Sequence, residues 1–368
     1  MRNMTEEVAM ITRTKQAGTG RMKAIVRQRY GSPDVLELKE IEKPAPNDVR
    51  GILVKVYASS VNAADRHGVK GPPFLLRLVL PLFGLGMGAR RPKEPGVGID
   101  IAGRVEAVSN TVTQFRPGDE VYGVGNSGYA EYATARENKI ALKPRNRSFE
   151  EAAAVPIAGF TALQALRNHG HIQPGQKVLV NGAGGGVGTF AVQIAKAFGA
   201  EVTAVTNTQN LDLVRSLGAD HVIDYTKEDF TKNGQRYDLI CDIAASHSIS
   251  DYKRIMNPPG IFVLVGMRDK MIRRLLYFTI GKPLASRGDK KFVFFVAKSN
   301  QEDLVTLRDL MEQGKVVPVI DRRYALNETA DAIRYFEEGH TRGKVVITMA
   351  PNDNNPSVSG SYGSSRRE

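Results

Sequence analysis

Lys177-Val-Leu-Val-Asn-Gly-Ala-Gly-Gly-Gly-Val-Gly188, running into TFAVQIAKAFGA over 189–200, is the stretch that decides the fold. An apolar run ends in a glycine-rich turn, and the turn opens a helix. Glycines let the main chain turn sharply and let a diphosphate approach its N–H groups. The helix start adds unpaired donors and a partial positive charge facing that anion. Gly185 and Gly188 take the last two places of a G-x-G-x-x-G spacing with Ala183 in the first, and Gly182, Gly185 and Gly188 form a second row. A glycine row alone is weak. Here a strand precedes it, a helix follows, and the next strand, EVTAV from Glu201, comes directly after, the context a dinucleotide site requires.

Outward from this turn, strands and helices alternate. The pattern predicts helix 149–168, strand 177–181, helix 187–198, strand 201–206, helix 210–217, and strands 220–223, 238–242 and 261–265. Strand 292–297 (FVFFVA) and a helix over 301–314 follow. Such alternation predicts a parallel sheet covered on both faces. Ser148, with Glu151 three residues on, marks where it begins. Before it, short strands such as MKAIVRQ, LELKEIE, RGILVKVYASSV, IDIAGRVEAV and EYATAR are bounded by Gly, Pro, Asn or Asp. Gly31, Gly103 and Gly118 are read as bends there. After 315, VVPVIDRRYAL, a helix near 327–338 and KVVITM return to strand texture. The expectation is an α/β protein with a doubly wound parallel sheet inserted into a β-rich domain. Its parts are an extension at 1–21, a first β-rich part at 22–146, the inserted domain at 147–315, a return segment at 316–350 and a disordered tail at 351–368.

Composition narrows the function. The 368 residues hold one cysteine, so neither an internal disulfide nor a cysteine-rich zinc site is available, and a reducing, cytoplasmic setting is expected. The net charge of +12 is concentrated in two places. Residues 66–93 carry six Lys/Arg and no acid, and residues 268–291 carry eight basic and two acidic side chains. No nucleic-acid motif or aromatic stacking platform accompanies this charge, so nucleic acid is not the expected partner. The apolar, basic segments 74–93 and 271–284 lack the ~20 unbroken apolar residues of a membrane span. They are expected to cover the protein body or form a lid, with peripheral contact to an anionic membrane as the bolder alternative. FVFFVA would be an exposed sheet edge, which pairing with a second copy would cover, so a homodimer is expected.

The end of the second strand of the inserted sheet selects the nucleotide, because an acid there holds a ribose 2′-hydroxyl and repels a 2′-phosphate. Val205-Thr-Asn-Thr-Gln-Asn210 has no acid, which favours NADPH. It also has no Arg or Lys, which leaves NADH open.

MKAIVRQRYGSPDVLEL, ASSVNAAD, PGVGIDIAGRVEAV, FRPGDEVYG, the glycine loop, SLGADHVIDY and RGKVVI, in this order, are similar to the medium-chain dehydrogenase/reductase superfamily in its zinc-independent, quinone oxidoreductase-like branch. The resemblance runs from Met22 to about Met349. It implies a GroES-like domain, a Rossmann domain and a cleft between them. It also implies NADPH-dependent reduction of a quinone or an unsaturated, apolar carbonyl compound, commonly by a homodimer. The zinc-dependent relatives need a cysteine near Ala63 to Asp65 and a His-Glu pair where this chain has Gly98-Ile-Asp100, so no metal is expected. By the same resemblance Asn62, Asp65 and Thr161 border the reacting groups. Ala183, Gly184, Gly185, Gly186, Val187, Gly188, Thr206, Asn207, Asn210, Tyr225, Gly266 and Lys344 line the cofactor. Plainer roles stay open for Asn62 as a turn former, Asp65 as a loop organiser, His67 as a solvated side chain, Thr161 as helix packing and Lys344 as a solvated lysine. A protein that binds NADPH without turnover is the competing function.

Overall fold

Residues 20–47, 51–71, 92, 95–265 and 289–349 are described by the structure, a computed structural model. Strands β1 (Arg21–Arg27) and β2 (Leu36–Glu42) pair antiparallel at the start. β3 (Ile52–Ser60) leads into helix α1 (Ala63–Lys70), and β4 (Asp100–Val108), β5 (Glu120–Asn126) and β6 (Tyr132–Leu142) follow. β3 pairs with both β4 and β6, so this sheet curls towards closure. Ile52, Val54, Ile101, Val121, Ala133 and Ile140 fill its interior. Gly118, at φ +97°, does turn the chain into β5. Gly103 is no bend. It lies inside β4, where a Cβ would stand 2.0 Å from the Lys55 carbonyl oxygen, so it allows two strands to approach closely.

The capping box at Ser148 forms as expected, with Ser148 N donating to Glu151 Oε2 at 2.8 Å and Glu151 N donating to Ser148 Oγ at 3.1 Å. The single helix expected over 149–168 is instead three pieces: α2 (Phe149–Ala153), α3 (Pro156–Leu163) and a π-helical turn, Gln164–His169. Pro156 lacks an N–H, so it ends one helix and is suited to start the next.

β7 (Lys177–Asn181), α4 (Gly186–Ala197), β8 (Glu201–Thr206), α5 (Leu211–Ser216), β9 (His221–Asp224), β10 (Tyr237–Asp242), α6 (Ile249–Ile255), β11 (Met256–Leu264) and β12 (Lys290–Phe294) build the second sheet. Its strands are all parallel, in the order β12-β11-β10-β7-β8-β9. The chain steps outward from β7 to β9, then crosses back and steps from β10 to β12. The direction reverses between β7 and β10, and a ligand crevice lies outside the strand ends at such a switch point. Fully buried Val178, Val180, Phe190 and Ile194 join β7 and α4. Among the described residues β12 pairs with β11 alone, and it stops at Phe294 rather than continuing to 297. α1 and α6 are helices that the sequence pattern did not show.

After α7 (Gln301–Glu312) come β13 (Ile320–Ala325), α8 (Thr329–Glu338) and β14 (Lys344–Thr348). β14 pairs antiparallel with β3, Val346 opposite Ser60, and parallel with β13. The last strands therefore join the sheet of β3–β6. The Tyr122 hydroxyl on β5 donates to Leu304 O on α7 at 2.6 Å, a buried link between the two halves. No helix among the described residues is long and apolar enough to cross a membrane. Gly266, segment 271–284, residues 1–19 and 350–368, and all of 74–93 except Pro92 lie outside the described residues.

Candidate active site

The glycine turn leaves β7 at Asn181 and is fastened to β8, since Gly182 N and Ala183 N both donate to Val205 O, at 3.1 and 3.0 Å. At Gly188 a Cβ would lie 2.1 Å from Gly182 O, so only glycine lets α4 start this close to the strand end. Gly185, the N-cap of α4, is different: a Cβ there would meet nothing nearer than Gly182 O at 3.8 Å. Gly185 is thus uncrowded, and the first-turn N–H groups of α4 have no partners within the helix. Such a helix start is suited to hold an anion such as a diphosphate. Gly184 backs onto Thr206 and Asn210, and Gly186 onto the Lys344 stem. Val187 is the second residue of α4.

At the end of β8, Thr206 and Asn210 are buried, and the Oδ1 atoms of Asn207 and Asn210 are buried without a partner. A buried acceptor left unpaired is costly, so these positions suit a ligand that brings donors, such as ribose hydroxyls. Tyr225, 56% exposed, stands beside them through its N–H bond to Thr206 O at 3.0 Å. The neighbouring Asp224 was not visible as a site residue. From β9 it accepts from Thr208 Oγ1 at 2.5 Å and from Thr226 Oγ1 at 2.7 Å, and these bonds hold its carboxyl below the usual range. A carboxylate therefore approaches the segment from the adjacent strand, although 205–210 itself has none. The signal for it was the acid closing HVID, one strand away.

Across the cleft, the end of β3 and the start of α1 hold a buried polar cluster. Asn62 caps α1, its N–H donating to Asp65 Oδ2 at 2.9 Å. Its Nδ2 donates to Asp100 Oδ2 at 2.8 Å and lies 3.3 Å from Ser60 O, while its Oδ1 accepts from Lys344 Nζ. Asp100 also accepts from Ser60 Oγ at 2.7 Å and, through Oδ1, from Ile157 N at 3.1 Å. Lys344 Nζ donates to Val61 O at 3.0 Å and stands 3.8 Å from Asp100 Oδ2. Asn62, Asp65, Asp100 and Lys344 are all buried. Burial, then the Asp100 charge, pushes the Asp65 carboxyl up to about 7. Burial also raises Asp100 and lowers Lys344, and each partly restores the charge of the other. Asp65 Oδ1 is buried without a partner, with the Tyr129 hydroxyl nearby.

The structure thus joins Asn62, Asp65 and Lys344 into one cluster and adds Ser60, Asp100 and Tyr129. A signal for Asp100 was an acid set between the apolar Ile99 and Ile101 of a strand. Thr161 lies on α3, half-buried, its hydroxyl donating to Ile157 O at 2.6 Å, so it touches the cluster only through the start of its helix. His67 stays out: it is exposed, and its Nδ1 faces Ala63 O at 2.5 Å. The two halves of the cleft meet where Gly343 N donates to Gly184 O at 3.0 Å, with Gly185 bridging to Gly343.

Comparison with known proteins agrees with this layout. Residues 48–145 match the alcohol dehydrogenase GroES-like domain family, and residues 217–347 match the zinc-binding dehydrogenase family. The chain is 34% identical to the 2-methylene-furan-3-one reductase of Solanum lycopersicum, over 94% of this chain and 84% of that protein. It is 34% identical to the NADPH-dependent alkenal/one oxidoreductase, chloroplastic, of Arabidopsis thaliana, over 90% and 80%. The structure of the quinone oxidoreductase from Coxiella burnetii superposes with a TM-score of 0.76 at 28% identity, covering 90% of this chain and all of that one.

Proposed function

The chain belongs to the medium-chain dehydrogenase/reductase superfamily, in its quinone oxidoreductase-like branch, and on that premise we propose that this oxidoreductase is an NADPH-dependent, zinc-independent reductase of quinones or α,β-unsaturated carbonyl compounds. One observation carries the reading. The open cradle at Gly185 and the buried Asn62–Asp65–Asp100–Lys344 cluster meet at the Gly184–Gly343 contact, so a dinucleotide laid in the cradle runs towards the cluster.

Residues Ala183 to Gly188 would hold the diphosphate, and Thr206, Asn207, Asn210 and Tyr225 the adenosine end. Gly266 is proposed for the nicotinamide end. When bound, the reduced nicotinamide supplies the hydride. The acceptor oxygen gains negative charge as its conjugated carbon is reduced, and it then needs a proton. Asp65 is suited to keep one, because burial and the Asp100 charge raise its carboxyl to about 7, with the Tyr129 hydroxyl beside it. Asn62 holds Asp65 Oδ2 and the start of α1 in place. Thr161 spends its hydrogen on Ile157 O and keeps lone pairs to accept from the nicotinamide carboxamide.

Donor chemistry supports a zinc-free reaction. Cys241, the one cysteine, is buried in β10, and Asp100 is occupied by Ser60, Asn62 and Ile157. The preference for NADPH rests on 205–210 having no acid, and Asp224 on the next strand makes that preference modest. The relatives named for alkenal/one and furanone reduction support the acceptor class.

The edge strand β12 supports a homodimer formed by pairing with its copy. The buried thiol supports a reducing setting such as the cytoplasm, although the Arabidopsis relative is named chloroplastic. Peripheral contact with anionic membranes through 74–93 and 271–284 is kept for a liposome co-sedimentation test.

NADPH oxidation against a 1,2-quinone, a 1,4-quinone, a medium-chain enal and an enone tests the function. Turnover of at least one is expected. NADPH binding with no consumption against all four overturns the reading.

A further inference from the structure

We infer that Lys344 is a positioning residue for the acceptor side of the cleft: with Asp100 it fixes which way the Asn62 carboxamide faces, and it does so from the start of β14, next to Gly343, which bonds the glycine loop. The inference rests on the proposed role of Asn62 beside the reacting groups.

A carboxamide has one acceptor end and one donor end, and Asn62 has a charge at each. Its Oδ1 takes a hydrogen from the Lys344 ammonium, and its Nδ2 gives one to Asp100 Oδ2 at 2.8 Å. Turned by 180°, the NH2 would face a cation and the oxygen an anion, so only one orientation satisfies both neighbours. Ser60 sharpens this from the same side, its hydroxyl donating to Asp100 Oδ2 at 2.7 Å.

The ammonium is buried and turned into the cluster: it donates to Val61 O and Asn62 Oδ1 and stands 3.8 Å from the Asp100 carboxylate as an ion pair. Burial and these partners separate Lys344 from a solvated lysine that binds nucleotide by charge. The other charged or titratable groups around it are Asp65 on α1 and Tyr129, both buried.

The same residue also registers the cofactor cradle. Gly343 N donates to Gly184 O at 3.0 Å, Lys344 N donates to Val319 O at 2.8 Å, and the lysine stem lies 2.9 Å from where a Cβ on Gly186 would stand. The diphosphate loop and the Asn62 amide are therefore both set by Gly343–Lys344. Lys344→Met keeps these backbone bonds and a stem beside Gly186, so it should leave the cradle intact and release the amide.

Lys344→Met alone leaves Asp100 buried without its cation and is liable to misfold, so the decisive variant is Lys344→Met/Asp100→Asn, in which both charges are gone. Three readouts are taken on the full chain: NADPH affinity by fluorescence titration, kcat and KM with the best acceptor, and the Asn62 side-chain NH2 signals, assigned with Asn62→Ser. We expect NADPH affinity within about threefold of the parent. We expect kcat lower by about 100-fold, the usual effect of a misplaced group. The single Asn62 NH2 pair should become broadened or doubled in the apo protein. A tenfold or greater loss of NADPH affinity with kcat kept would make Lys344 a cofactor ligand and overturn the inference, as would unchanged kcat with unchanged NH2 signals. Should the parent turn over no acceptor, the reductase reading falls alone, and the Asn62 spectrum together with the NADPH titration still decides this one.

Discussion

Replacing Asp65 with Asn should remove a pH dependence of stability that the buried cluster builds in. Burial and the Asp100 charge raise the folded-state Asp65 carboxyl to about 7 from its ordinary value of 3.8. A raised acid favours folding while protonated, so its contribution is full below about pH 4 and is lost as pH climbs through 7. Between pH 5.5 and 7 the native state binds about one proton more than the unfolded state, a slope of about 1.4 kcal/mol per pH unit. Above 7 the slope vanishes. Raising the pH from 5.5 to 8.5 should therefore cost the parent about 2 kcal/mol of stability. Asn keeps an oxygen to accept from the Asn62 N–H, so the start of α1 survives. Urea unfolding at pH 5.5, 7 and 8.5, with the slope of the transition unchanged, measures the difference. A parent and an Asp65→Asn variant that lose stability equally over this range would refute the placement of a near-neutral carboxyl at Asp65.

If Asp65 also supplies the proton, kcat/KM of the parent should fall above about pH 7 and that limb should be absent in Asp65→Asn, as read from rates between pH 5.5 and 9. Gly185→Ala has room for its methyl and should melt like the parent while weakening NADPH about tenfold, by filling the cradle. Gly188→Ala drives a Cβ to 2.1 Å from Gly182 O and should cost about 3 kcal/mol in urea unfolding. Asp224→Asn removes a carboxylate near the adenosine end, and the ratio of NADPH to NADH affinity should rise severalfold in paired fluorescence titrations. Sedimentation velocity over a wide concentration range should show a dimer, and a monomer at every concentration would remove the edge pairing of β12.

The second sheet was legible because its signals are local. A parallel strand buried on both faces is an apolar run, and in its first turn Gly188 answers a contact only six residues away, with Gly182. α1 escaped because its eight residues hold one large apolar side chain, Val69, and it is held by the Asn62–Asp65 box rather than by an apolar stripe. The cluster escaped for a different reason. Lys344 and Asn62 are 282 residues apart, and their contact exists only because β14 returns to pair with β3. Asp100 read as an absent zinc ligand, and its positive task, accepting from Ser60, Asn62 and Ile157, became visible only in three dimensions. Asn62 and Lys344 were both named by resemblance, but resemblance did not reveal that they bond each other.

The late position of β14 has a consequence for biosynthesis. A growing chain has emitted β3, β4 and the whole nucleotide sheet before Lys344 leaves the ribosome. Until then Asp65 and Asp100 have no buried ammonium to balance them, and the strand that pairs with β3 beside Ser60 is absent. The nascent protein should hold its nucleotide half early and keep its acceptor wall loose. Translation arrested just short of Gly343 should yield a species that protease cuts within the first 140 residues and spares between 177 and 264.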